Sequence, residues 1–306
     1  MNHMKHNNEE KQGTSQIQCA PNILCVIGKS PLIQIGRVYA KLETTNPSGS
    51  VKDRMAHYMA DKAEKSGALK PGSRIIEVTS GNTGIAFAMI AAHRGYRFTA
   101  VMPASMSLQR RHMMEAFKAE IILTPAEEDM AGAVIRYNEL IKEYPDAWLP
   151  RQFENPDNIA AQREGLGREI AEQTNGRVDA FVAGIGTGGT LIGVAQALKE
   201  ANPSVKIIGV EPEESAVLSG GKPGFHEIQG IGEGFIPKLI QDHMDLIDEI
   251  ITIKSNDARV MGERLAKKYG ILVGISSGAN ILAARKARKY FRHVVTVLPD
   301  RGERYL

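Results

Sequence analysis

Four short stretches of this chain concentrate residues able to do chemistry. Asn46-Pro47-Ser48-Gly49-Ser50-Val51-Lys52-Asp53-Arg54 sets a turn ahead of a helical pattern and puts Lys52 in the first helical turn. Positive backbone charge at a helix start disfavours a second cation. A lysine placed there can lose its proton and become a Schiff-base nucleophile. A capped surface helix with a solvated lysine is the ordinary alternative. Thr79-Ser80-Gly81-Asn82-Thr83-Gly84 follows an apolar run and precedes an apolar helix, Ile85 to Ala92. Its hydroxyls, amide and free helix-start N–H groups suit a carboxylate with a small polar head. Capping by Ser80 or Asn82 would account for one such residue, not six.

The third stretch, Gly184-Ile185-Gly186-Thr187-Gly188-Gly189-Thr190, lies between an apolar run and a helical pattern. Backbone N–H groups converge in such a turn and hold an anion, a phosphate above all. Gly184, Gly186 and Gly189 satisfy the dinucleotide pattern G-x-G-x-x-G, and Glu211 stands where a ribose partner would be expected. Dinucleotide loops come early in their domain, whereas this one comes late. Threonines on both sides of the paired glycines make a compact cup for one terminal phosphate. Glu211, followed by Pro212 and a long loop, suits a structural role equally well. The fourth stretch, Gly274-Ile275-Ser276-Ser277-Gly278-Ala279, packs small hydroxyls between glycines and allows close approach of a flat ring, or is another helix cap.

These stretches need elements to position them. Apolar β-rich runs alternate with helical patterns from about residue 74 onward. The patterns predict strands over 74–78, 97–102, 120–123, 179–183, 206–210 and 293–298. They predict helices over 53–66, 82–94, 107–118, 130–143, 157–174, 188–200, 255–269 and 278–290. Such alternation implies an α/β fold with mostly parallel sheets covered by helices. Ligands of open α/β sheets bind outside the carboxyl ends of the strands, which makes 79–84, 184–190 and 274–277 walls of one cleft. Residues 150–158 read as a crossing between two α/β units, and 212–240 as a long irregular excursion.

Composition bounds the rest. The chain has 306 residues, 42% hydrophobic and 24% charged, with net charge +3, as in ordinary globular proteins. No basic block argues for nucleic acid, and no apolar run approaches the ~18 residues of a membrane span. The two cysteines, Cys19 and Cys25, imply free thiols in a reducing cytosol, hence a cytoplasmic protein. Residues 1–18 are polar and read as a flexible tail.

In combination the stretches are far more specific than any alone. N-P-x-x-S-V-K-D-R, T-S-G-N-T-G-I-A, G-x-G-T-G-G-T and G-I-S-S-G-A occur in this order, joined by MPASMSLQRR (102–111), QFENPDN (152–158), HEIQGIGEGFIP (226–237) and GERYL (302–306). From about Ile27 onward the chain resembles the cysteine synthase (O-acetylserine sulfhydrylase) and cystathionine β-synthase family. Ser276-Ser277 and VLSGGKPGFHEIQGIG (217–232) are more similar to its A-type cysteine synthases. The segment between Leu32 and Tyr39 is shorter than in that family, so its first hairpin must be clipped.

The resemblance implies a tryptophan-synthase-β-like, fold type II enzyme that uses pyridoxal 5′-phosphate and no metal. A smaller mobile domain (46–155) would carry the substrate-carboxylate loop. A larger domain (19–45 and 156–306) would carry the phosphate loop, with the active site between them. Lys52 would join the cofactor and act as catalytic base, and Gly186, Thr187, Gly188, Gly189 and Thr190 would hold the 5′-phosphate. Asn82 would meet the ring hydroxyl and Ser276 the pyridine nitrogen. Thr79, Ser80, Gly81, Thr83 and Gln152 would bind the substrate carboxylate. The implied reaction is β-replacement, O-acetyl-L-serine and sulfide giving L-cysteine and acetate through α-aminoacrylate. Cystathionine synthesis from homocysteine, or release of hydrogen sulfide from cysteine, are the alternatives of the same fold. The family also implies a homodimer and admits the C-terminal tail of serine acetyltransferase as a partner. With this resemblance the NAD reading of the glycine loop falls away.

Overall fold

A computed structural model describes residues 19–79 and 81–305. The expected tail, Ser80 and Leu306 lie outside the described residues. In chain order the elements are β1 (Leu32–Ile35), β2 (Val38–Leu42), α1 (Lys52–Lys65), β3 (Arg74–Val78), α2 (Asn82–Arg94), β4 (Arg97–Pro103), α3 (Leu108–Ala116), β5 (Glu120–Thr124) and α4 (Asp129–Glu143). They continue with α5 (Asp157–Gln162), α6 (Arg168–Gln173), β6 (Ala180–Gly184), α7 (Gly189–Ala201), β7 (Lys206–Pro212), α8 (Lys238–Gln241), β8 (Glu249–Ile253), α9 (Ser255–Tyr269), α10 (Ile275–Ala287) and β9 (Val294–Leu298).

Two sheets result. The larger runs β1-β2-β9-β6-β7-β8 and the smaller β3-β4-β5. Every pairing is parallel except β1–β2. The predicted α/β architecture is therefore the observed one. The near-continuous apolar runs of β6 and β9 have a direct cause, since parallel strands are covered on both faces. Met261 and Leu265 of α9 and Ile281 and Ala284 of α10 pack on one face of the larger sheet. Ile159 of α5 and Ile192 and Leu198 of α7 pack on the other. The smaller sheet is enclosed in the same way, by Met55, Met59 and Phe87 of α1 and α2 on one face and by Ala133, Tyr137 and Leu140 of α4 on the other.

The differences from the sequence patterns are local. The hairpin β1–β2 is tight, Ile35 pairing with Val38 across a two-residue turn. Strand β8 was not anticipated. It is a sheet edge whose residues run exposed, half-buried and buried, so its apolar signal is diluted. The helix expected over 157–174 is interrupted by a π-helical turn, Arg163–Gly167, between α5 and α6. Gly167 lies against α7, where a Cβ would stand 2.6 Å from that of Ala197, so the bulge falls where two helices nearly touch. Helix α10 starts at Ile275, three residues before the expected start, and Ser276 and Ser277 belong to its first turn.

Candidate active site

Lys52 opens α1, capped by Val51 with no side-chain hydrogen bond at the cap. Lys52 borders a narrow cleft of about 60 Å³, shared with Asn82, the loop Gly186–Thr190, Ser276 and Asp300. The cleft widens outward past Thr79, Gly81, Thr83 and Gln152. Three of the four sequence stretches reach it from carboxyl ends of parallel strands, β3, β6 and, for α10, the loop beside the end of β9. The remaining stretch supplies Lys52 as the first residue of α1. Among the described residues, each predicted site residue borders this one continuous space, apart from Gly189. That glycine lies just behind the wall, where a Cβ would collide with Asn158.

Burial holds the Lys52 amine below the ordinary lysine value, against the raising pull of Glu233 and Asp300. The amine therefore tends toward its neutral, nucleophilic form, as its place in the first helical turn suggests. The glycine loop has the geometry of an anion cradle. Gly188 takes φ of 91°, a left-handed conformation that spares glycine the strain other residues meet, and caps α7. The first N–H groups of α7 have no partners within the helix, so they face the loop with partial positive charge. At Gly186 a Cβ would collide with the carbonyl oxygen of Gly230, which fixes the position as glycine.

Polar side chains tie these walls together. Thr83 Oγ1 donates to Gln152 Oε1 at 2.6 Å, so two expected carboxylate ligands sit side by side. Asn158 Nδ2 donates to the Gln152 carbonyl at 2.8 Å and to Thr187 Oγ1 at 3.0 Å, joining carboxylate side to phosphate side. Asn280 of α10 accepts from the N–H of Gly184 at 2.8 Å and donates to the carbonyl of Val297 at 2.9 Å. Asn82 caps nothing: Gly81 is the cap of α2, and the Asn82 amide donates to Asp300 Oδ2 at 2.7 Å while its oxygen accepts from Arg304. Tyr305 also donates to Asp300 Oδ2, and Asp300 Oδ1 is buried without a hydrogen-bond partner among the described residues.

Asn158, Asn280, Asp300 and Arg304 escaped the sequence reading. For Asp300 a signal existed, because it follows a strand end just as the other cleft loops do. The asparagines carried none, since the partners that tie them to the glycine loop and to β6, Thr187 and Gly184, are 29 and 96 positions away. Glu211 turns out to be structural. Its buried carboxylate accepts the N–H groups of Leu218 and Ser219, each at 2.9 Å, and anchors the irregular segment after β7.

The residues fit a phosphorylated, carbonyl-bearing cofactor. The glycine loop offers an anion cradle, Lys52 stands across the same cleft, and a neutral hydroxyl, Ser276, lines its wall. Comparison with known proteins agrees. The family model described as pyridoxal-phosphate dependent enzyme matches residues 23–300. A cysteine synthase from Staphylococcus aureus is 47% identical over 297 residues, 93% of this chain and 95% of that protein. The crystal structure of cysteine synthase from Entamoeba histolytica superposes with TM-score 0.90 at 43% identity, covering 99% of this chain and 92% of the other. That of O-acetylserine dependent cystathionine β-synthase from Helicobacter pylori gives TM-score 0.89 at 40% identity, covering 95% and 98%.

Proposed function

The chain belongs to the pyridoxal-phosphate-dependent enzymes, and on that premise we propose that it makes L-cysteine and acetate from O-acetyl-L-serine and sulfide. The observation that carries this reading is the meeting of Lys52, the Thr83–Gln152 pair and the Gly186–Thr190 cradle in one cleft, in a chain so similar to cysteine synthases. Pyridoxal 5′-phosphate, when bound, supplies the electron sink that lets the substrate α-C–H bond break. Gly186, Thr187, Gly188, Gly189 and Thr190 hold its phosphate, Asn82 its ring hydroxyl and Ser276 its ring nitrogen. A serine there is neutral and does not hold that nitrogen protonated, which favours loss of the β-substituent over other outcomes.

Thr79, Gly81, Thr83 and Gln152, with Ser80, bind and orient the substrate carboxylate. Lys52 Nζ takes the α-proton as general base and returns it after the new bond has formed. Burial of this amine supports that role, because a base must be neutral to accept a proton. Residues 46–155 form the smaller, mobile domain in this reading, and 19–45 with 156–306 the larger. Carboxylate capture draws them together and excludes water. The smaller sheet lies wholly within 46–155, which supports the division. A cytoplasmic homodimer follows from the same reading, and the cleft would accept the C-terminal tail of serine acetyltransferase. Among the described residues, no helix is long and apolar enough to cross a membrane.

The test is spectroscopic. The purified protein, incubated with pyridoxal phosphate, should show a visible cofactor band that shifts on addition of O-acetylserine and returns on sulfide, with L-cysteine as product. Return only with homocysteine would assign cystathionine synthesis, the reading favoured by the likeness to the Helicobacter pylori enzyme. Absence of any cofactor band would overturn the assignment.

A further inference from the structure

Besides the residues given roles above, a carboxylate faces the reacting region. Glu233 lies on the irregular segment between β7 and α8 and lines the outer cleft with Lys52, His226 and Gln229. Its closeness to the glycine loop is measurable. A Cβ built on Gly186 would stand 3.7 Å from Glu233 Oε1. The residue is exposed as a whole, with its carboxyl beside the glycine loop in the cleft wall. Desolvation raises it above the ordinary glutamate value, while Lys52 and His226 pull it back. Of the two carboxylates that act on the Lys52 amine, Glu233 acts the more strongly.

β-Replacement moves more protons than one lysine can serve. Lys52 is occupied at the α-carbon, while at the β-carbon a leaving group gains a proton and an incoming nucleophile loses one. We infer that Glu233 is a second catalytic acid–base residue, acting at the substrate's β-carbon. As the Cβ–O bond breaks, the bonding pair leaves with the oxygen, and the Glu233 carboxyl proton passes to that oxygen. As the Cβ–S bond forms, the S–H proton of the nucleophile passes to the Glu233 carboxylate. The two transfers restore the carboxyl group and require no oxidant or reductant. This role rests on the β-replacement reading above. It also defines which donors depend on Glu233, because the need for a donated proton grows with leaving-group basicity. Chloride needs none, acetate little, and the hydroxyl of L-serine cannot leave without one.

The holoenzyme and its Glu233→Gln variant are compared on β-chloro-L-alanine, O-acetyl-L-serine and L-serine, with sulfide as acceptor. The loss in kcat/KM should grow in that order, reaching about a hundredfold with L-serine, and Glu233→Asp should recover most of it. An equal loss with all three donors, or no turnover of L-serine by the unaltered enzyme, overturns the role. Chloride and acetate release by the unaltered enzyme separates the two readings. If neither is released, β-replacement falls and this role with it. If both are released and the variant's loss is uniform, only Glu233 falls.

Discussion

Buried carboxyl groups behave here according to what surrounds them, and Glu77 shows it most directly. It sits in β3, and its Oε2 accepts the N–H of Arg151 at 2.9 Å, holding the turn that presents Gln152. Desolvation pushes its carboxyl up to about 8, although backbone N–H groups of Arg151, Gln152 and Val78 pull the other way. Between the unfolded carboxyl value, near 4.5, and about 8, the native protein keeps a proton that the unfolded chain has released. Native protein then binds more protons than unfolded, so stability falls as pH rises, with a slope approaching about 1.4 kcal/mol per pH unit. Glu77→Gln removes this titration. The stability of the variant relative to the parent should therefore rise from pH 5.5 to 7.5 in urea unfolding. A difference that stays constant with pH would show that the carboxyl does not titrate in that window. Lys52 was legible in the sequence because its neighbours alone define a helix start. Glu77 was not, since an acidic residue inside a strand says nothing until Arg151 and Gln152, more than seventy positions away, are known to meet it.

Elements were legible where their periodicity was strong and their burial even. Strands β3, β4, β6, β7 and β9 and the long helices follow the predicted ranges within a few residues. The failures have separate causes: the half-exposed edge β8 dilutes the apolar signal, and the bulge between α5 and α6 serves a close contact with α7 that periodicity does not register. That contact matters to the site, because α5 carries Asn158 beneath the phosphate cradle. Its Nδ2 bridges the Gln152 carbonyl and Thr187 Oγ1. Asn158→Ala takes the side-chain donor from the buried Gln152 carbonyl and leaves Thr187 Oγ1 with only the long bond from the Gly189 N–H, 3.4 Å, and should cost about 1–3 kcal/mol of stability. It should also release pyridoxal phosphate more readily, seen as a lower cofactor-to-protein ratio after dialysis. Gly188→Ala acts on the same cradle by another route. It forces a side chain into φ of 91° with its Cβ 2.7 Å from the Ile240 side chain. Strain and overpacking of this kind cost about 1–3 kcal/mol each, so cofactor retention and melting temperature should fall together. A variant that melts early but keeps its cofactor would mean that the cradle tolerates a shifted α7.

At the scale of the molecule, the helix α1 that packs on the smaller sheet is tied to elements of the larger one by a charge network at its base, two residues past Lys52. Arg54 Nε donates to Glu43 Oε2 at 2.7 Å, and its Nη1 and Nη2 reach Glu169 at 2.7 and 2.8 Å. Lys41 Nζ reaches Glu169 at 2.7 Å, and the N–H of Lys29 adds a further bond at 2.8 Å. Lys41 belongs to β2 of the larger sheet, Glu169 to α6 and Arg54 to the helix that opens with Lys52, so the network fixes the start of that helix against the larger sheet. None of this was legible from composition, which gives 38 basic and 35 acidic residues but not which of them meet. Burial alone would raise the Glu169 carboxyl. Hydrogen bonds and charge from Arg54, with Lys41, override it and hold the group at about 2. A depressed carboxyl contributes stability that is complete above the unfolded value, near 4.5, and is lost as pH falls toward about 2. Glu169→Gln leaves the Lys41 charge without this counter-ion and Arg54 with Glu43 alone, and because Glu169 is only half-buried it should cost about 1–3 kcal/mol at pH 7. As the parent protonates the same carboxyl in acid, the gap between parent and variant should narrow from pH 4.5 downward, read by denaturant unfolding at stepped pH. Cofactor absorbance followed in parallel should decline in the variant already at pH 7, because the network and Lys52 share one helical turn. A gap that persists unchanged into acid would show that Glu169 acts through packing and not through charge.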